Sequence, residues 1–154
     1  MKTLKVLVLL LLVSSFAVNL PAAGKMNAQV GMAYGFDVEE PGLQLGLGYY
    51  FTPQIKGGFD FIYWFLGVDG VSMMEFNFTG NYYFVSGQSM NFYALAVLGY
   101  HRMSSDFGSD GEMALGLGGG VEFNMGAMDI YVEPRLFLSG FDQFALNAGV
   151  RFGF

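Results

Sequence analysis

The chain has no cysteine, one histidine and one tryptophan among its 154 residues, and only 7 Lys and Arg against 13 Asp and Glu. Without cysteine, a disulfide framework and a thiolate-ligated metal are excluded. The shortage of base, with a formal net charge of −6, excludes the positive surface that nucleic acid requires. Charged residues make up 13% of the chain, against about a quarter in a soluble domain, so any surface the fold presents is short of charge. Helical periodicity is missing after residue 24. The apolar run Val6–Val13 (VLVLLLLV) falls short of the roughly 20 residues that a spanning helix needs.

What is abundant is equally directive. The chain is 53% hydrophobic and 18% aromatic and carries 23 glycines, with no collagen-like period. Its length suits one domain. Residues 1–24 have the parts of a secretory leader: Lys2 and Lys5, the apolar run, then Pro21-Ala22-Ala23-Gly24 as breaker and small residues. Cleavage is expected after Ala23 or Gly24, leaving residues 25–154 as the exported domain. No cysteine follows the run, so no lipoprotein attachment site is available.

From Lys25 onward, alternation of apolar with small or polar residues recurs, broken by turn residues, and predicts strands. These are expected over about 26–36, 43–51, 55–65, 73–85, 90–103, 112–124, 127–138 and 144–154. The last reads FALNAGVRFGF: Phe144, Leu146, Ala148, Val150, Phe152 and Phe154 share one face, and Ala145, Asn147, Gly149, Arg151 and Gly153 the other. The fifth strand is apolar on both faces, so its orientation stays open. Tight turns follow the second, fourth and sixth strands. Longer loops follow the odd ones, with Ser104–Gly111 (SSDFGSDG) the longest.

A secreted β-sandwich would dress its exposed faces with Lys, Glu, Thr and Ser. Here one face is almost unbroken Leu, Met, Val and Phe. The aromatics also cluster at strand ends: Tyr49, Phe51, Tyr82, Phe84, Phe123, Phe152 and Phe154 at one end, and Tyr34, Phe36, Tyr63, Phe65 and Tyr100 at the other. Two aromatic girdles flanking an aliphatic belt are what membrane interfaces select. The fold class expected is therefore all-β: an eight-stranded antiparallel up-and-down transmembrane barrel with its apolar face toward lipid.

The leader, the eight alternating strands and the terminal Val150-Arg151-Phe152-Gly153-Phe154 resemble the small bacterial outer-membrane β-barrel family that includes the OmpA transmembrane domain and OmpX. The resemblance spans the whole mature chain and is one of architecture and terminal signal. It implies an outer-membrane location in a Gram-negative-type cell, contact with outer-membrane lipids, and a monomer. It also implies that the assembly machinery recognises the last strand, with Phe154 as terminal aromatic and Phe152 and Val150 on its face.

An eight-strand barrel has an interior just wide enough for side chains to fill. The inward set expected from the alternation includes Lys56, Asp60, Glu75, Asn77, Asn81, Glu112, Glu122, Asp129, Glu133, Arg135, Asn147 and Arg151. Buried charges must be paired, so Lys56, Arg135 and Arg151 are expected to hold the carboxylates in a plug. The rival is a narrow porin-like path for ions or small solutes, supported by inward glycines such as Gly46, Gly48, Gly58, Gly116, Gly118, Gly120 and Gly149 that leave volume unfilled.

Catalysis is not expected. A lipid A-modifying enzyme needs a His, a Ser and a carboxylate together near the outer rim. His101 precedes Ser104, Ser105 and Asp106, but residues three apart on a strand point to opposite faces. Gly116–Gly120 (GLGGG) lies inside a strand with no helix to follow, so it reads as small interior residues and not as a phosphate loop. Loop acids Asp37, Glu39, Glu40, Asp69, Asp106, Asp110 and Asp142 have no ligand spacing and read as solvated. No cofactor or metal is expected.

Overall fold

The computed structural model describes residues 26–138 and 142–154. The leader expected over residues 1–24 and most of the loop 139–142 lie outside the described residues. The rest forms β1 (Met26–Gly35), β2 (Glu40–Tyr50), β3 (Ile55–Trp64), β4 (Ser72–Ser86), β5 (Met90–Ser105), β6 (Gly108–Asn124), β7 (Asp129–Phe137) and β8 (Gln143–Gly153). Each strand pairs antiparallel with the next, and β1 pairs with β8 from Asn27↔Gly153 to Gly35↔Ala145, closing the barrel. Mutual backbone hydrogen bonds between Met26 and Phe154, at 3.4 and 3.0 Å, finish the seam. Met26 and Phe154 mark what we call the lower end of the barrel.

The two faces of this cylinder reverse the usual order of a soluble protein. Lipophilic side chains point out: Phe78 is 63% exposed and Leu117 57%, while inward Asn77 and Gln44 are 0% exposed. The aromatic ends pack along the rims in pairs, Tyr49–Phe51 below and Tyr34–Phe36 above, both with ring centroids 5.1 Å apart. An antiparallel barrel satisfies its ladder hydrogen bonds strand to strand and leaves no edge, the condition for spanning hydrocarbon with β-structure.

Short turns join the strands below. After β2, the Thr52 hydroxyl accepts from the backbone N–H groups of Gln54 and Ile55 at 3.2 and 3.0 Å. Gly126 takes the left-handed φ of 92° that its turn requires and that costs glycine nothing. A bulge at Phe84, between the pairs Tyr83↔Tyr93 and Val85↔Phe92, keeps Tyr83 inward while the strand bends.

The upper end departs from the sequence reading. The expected long loop Ser104–Gly111 is mostly strand: β5 and β6 stay paired to Ser105↔Gly108, and only Asp106 and Phe107 turn. There the hairpin stands clear of the barrel, both faces see water, and polar residues on both faces erase the alternation that marks a strand lower down. β2 likewise starts at Glu40, within the expected loop. The open orientation of the fifth strand is resolved. Tyr93, Leu95, Val97, Gly99 and His101 face inward, and Phe92, Ala94, Ala96, Leu98 and Tyr100 face out. Both faces are apolar because this side of the interior is itself a hydrophobic cluster of Tyr83, Tyr93, Leu95, Val97, Ala114 and Phe137.

Candidate functional site in the barrel interior

Alternation on β7 puts Glu133 and Arg135 on the inner face two residues apart, and β8 brings Arg151 beside them. Together with β3 and β6 they build a continuous ionic ladder. The Arg135 guanidinium donates to both Asp60 carboxylate oxygens at 3.1 and 2.6 Å, and its Nε donates to Glu133 Oε1 at 2.7 Å. Glu133 Oε2 accepts from Arg151 Nη2 at 3.0 Å, and Arg151 Nη1 donates to Glu122 Oε2 at 2.5 Å. All five residues are at most 2% exposed. Such charge-assisted, partly bidentate contacts are the strong class of hydrogen bond.

Neutral groups complete the ladder. Tyr93 donates to Glu133 at 2.6 Å and accepts from Arg151 at 3.1 Å. Tyr83 donates to Glu122 at 3.3 Å, and Asn77 to Asp60 at 2.9 Å. Arg151 also donates to Gln29 at 3.0 Å and lies over the Tyr131 ring at 4.1 Å. Tyr131 donates in turn to Gln44 at 2.7 Å. Lys56, 2% exposed, sits near the rings of Tyr50 and Tyr83 at 5.7 and 5.9 Å. The ion-paired ladder thus holds two guanidiniums and three carboxylates, with Lys56 buried nearby and Glu75 a further buried carboxylate above it.

Higher up, Glu75 is 0% exposed. It accepts from Trp64 Nε1 at 2.5 Å and lies 3.2 Å from His101 Nε2. Above the ladder, Ala33, Ile62, Trp64, Met73 and Ala145 form an apolar layer, with Val38 and Leu66 packed against it.

Two residues of the expected inward set lie elsewhere. Glu112 has the inward parity but is exposed, because it pairs with His101 where β6 leaves the filled part of the barrel. Asp129 is half-buried at the lower rim, opposite Arg151 in the register. Asn81 and Asn147 are buried inside. Val150, Phe152 and Phe154 are half-buried at the lower end, and Val150 and Phe152 stand opposite Val30 and Ala28 of β1. Sequence reasoning missed the network role of Tyr83, Tyr93, Tyr131, Trp64, Gln29 and Gln44. The inward parity of all but Tyr93, on the strand whose orientation stayed open, was visible, but which ring meets which carboxylate depends on the stagger of strands far apart in sequence.

The glycines also act differently from expectation. The ring of Tyr93 occupies the space beside Gly120, and the Tyr131 hydroxyl the space beside Gly31. A Cβ on Gly46 would lie 2.9 Å from Asp60 Cβ. These glycines admit large neighbours, so the volume is filled. A cavity of about 10 Å³ beside Lys56, Asn81, Arg135 and Arg151 is the size of about one water.

His101 and Ser104 do not converge: His101 is inward and 5% exposed, whereas Ser104 has the opposite parity and pairs with Ser72 and Ser109.

The N-terminal β-barrel domain of Pseudomonas aeruginosa OprF superposes with a TM-score of 0.67 at 16% identity, covering 86% of this chain and 100% of that one. The chain has the fold of the small eight-stranded outer-membrane barrels. Neisserial surface protein A matches with a TM-score of 0.61 at 19% identity, over 84% of this chain and 94% of that one. A de novo designed transmembrane β-barrel matches with a TM-score of 0.64 at 12% identity, over the same shares. Because a designed sequence also adopts it, this fold by itself names no activity. No protein-family model and no curated protein sequence matches the chain.

Proposed function

We propose that the chain is exported by its leader, inserts into the outer membrane as a monomeric barrel, and serves there as a sealed structural and surface-presenting protein without catalysis. One observation carries this reading: an apolar-faced barrel encloses a continuous ladder of ion pairs from Asp60 to Glu122, capped by an apolar layer. Moving an ion through would require breaking paired, buried charges, which costs several kcal/mol per pair. The same ladder weighs against the narrow channel.

In this reading the outward side chains contact outer-membrane lipids, and the face of Val150, Phe152 and Phe154 presents the assembly signal. Two measurements test it. Membrane fractions of expressing cells should hold the protein in the outer membrane as a band whose gel mobility shifts on heating. Purified protein in planar bilayers should show no single-channel steps. A soluble, heat-insensitive periplasmic protein overturns the membrane reading, and reproducible conductance overturns the sealed one.

A further inference from the structure

The upper mouth carries a set of side chains that the ionic ladder does not use. Three neighbouring strands line up two rows there on the inner face. In one row Met73, Met103 and Asp110 stand directly opposite one another, and in the next Glu75, His101 and Glu112. Directly opposed residues in an antiparallel pair have Cβ atoms about 4.5–5.5 Å apart, so the two methionine side chains start from adjoining positions on facing strands. Met73, His101, Arg102, Met103, Asp110 and Glu112 border one cavity of about 180 Å³.

We propose that this mouth cavity binds a soft monovalent cation of the Cu(I)/Ag(I) class through the thioethers of Met73 and Met103 and the imidazole of His101. Thioether and imidazole donors select such ions, whereas carboxylate and carbonyl cages select hard ones. Among the described residues no three His, Asp or Glu converge as a metal cage, so the site offers little to zinc or calcium.

The histidine is oriented by a carboxylate. Its Nε2 lies 3.2 Å from Glu75 Oε1, and Glu75 is itself fixed by the Trp64 indole at 2.5 Å. A carboxylate behind a histidine sets the ring orientation and raises its basicity at metal sites. Glu75 is thus a positioning residue here. Asp110 and Glu112, both exposed at the rim, outnumber the one base in the lining, Arg102, and leave a net negative potential that draws cations to the mouth. Met73 is 1% exposed and sits in the apolar layer, while Met103 is 44% exposed. One thioether is therefore preset and the other is free to close over an ion. The site depends on the barrel fold alone and not on whether the lumen conducts.

The test is a titration of the folded barrel in detergent micelles with Ag(I), read by NMR of methionine methyl groups labelled with ¹³C. The first equivalent should move the Met73 and Met103 methyls and the His101 ring signals, with lipid-facing Met32 and Met113 responding only later. Met103→Leu, at a half-exposed rim position, should weaken that first event about tenfold or more, and Glu75→Gln should weaken it within the 10–100-fold range seen when such supporting carboxylates are lost. Heat-modifiable migration of both variants checks their folding. An equal amount of Zn(II) should leave the Met73 and Met103 methyls in place. Methionines that titrate together, or a first event unchanged in folded Met103→Leu and His101→Phe, overturn the proposal.

Discussion

Arg135 shows what a single residue contributes to this molecule. It is 1% exposed and serves two carboxylates at once, Asp60 and Glu133. Burying two ions and their counter-ion is not in itself a large source of stability, because desolvation offsets much of the attraction. Removing one partner is different, since it strands buried charges without a counter-ion. Arg135→Met is therefore expected to destabilise the folded barrel by about 3–5 kcal/mol, read from the urea dependence of its gel-shift in lipid vesicles. A loss below about 1 kcal/mol, the size of an exposed pair, would mean that water reaches the ladder. The alternation placed Asp60, Glu133 and Arg135 on the inner face, which is why their burial could be foreseen from sequence. Their partners could not. Asp60 and Arg135 are 75 residues apart, and no local pattern encodes the barrel's stagger.

At the scale of the strand, legibility follows the contrast between environments. Within the lipid belt one face meets hydrocarbon and the other meets polar groups, so period two is strong and the eight strands could be placed to within a few residues. The contrast fails twice, for opposite reasons. On β5 both faces are apolar, because Leu95 and Val97 pack into an internal cluster. On the projecting hairpin both faces are wet, so 104–111 read as a loop although its backbone is paired. The belt itself makes a depth-dependent prediction. Leu117 of β6 lies opposite Ala96 and Leu136 near mid-height, whereas Phe123 is one residue from the strand's lower end. Leu117→Arg should cost about 2–4 kcal/mol and Phe123→Arg about 0–1, the depth profile of arginine on a lipid-facing surface. Equal costs in vesicle unfolding would place the hydrocarbon elsewhere.

For the molecule as a whole, the sheet has no free edge only because β1 meets β8. The partners in that seam, such as Asn27 and Gly153, come from opposite ends of the described chain. Until they meet, β1 and β8 each present a row of unpaired backbone groups, and an exposed edge of that kind invites pairing with another chain. A chain cut before Gln143 should consequently give no heat-shifted band and should collect as aggregate, whereas the full chain folds. If the shortened chain instead gave a protease-resistant, heat-modifiable species, seven strands would close without the eighth. The same seam sets a clock. The last of the eight strands to be made is the one that the first is waiting for. The barrel therefore cannot mature piece by piece during synthesis, and its greasy outer face must be kept in a waiting, unpaired state until β8 arrives.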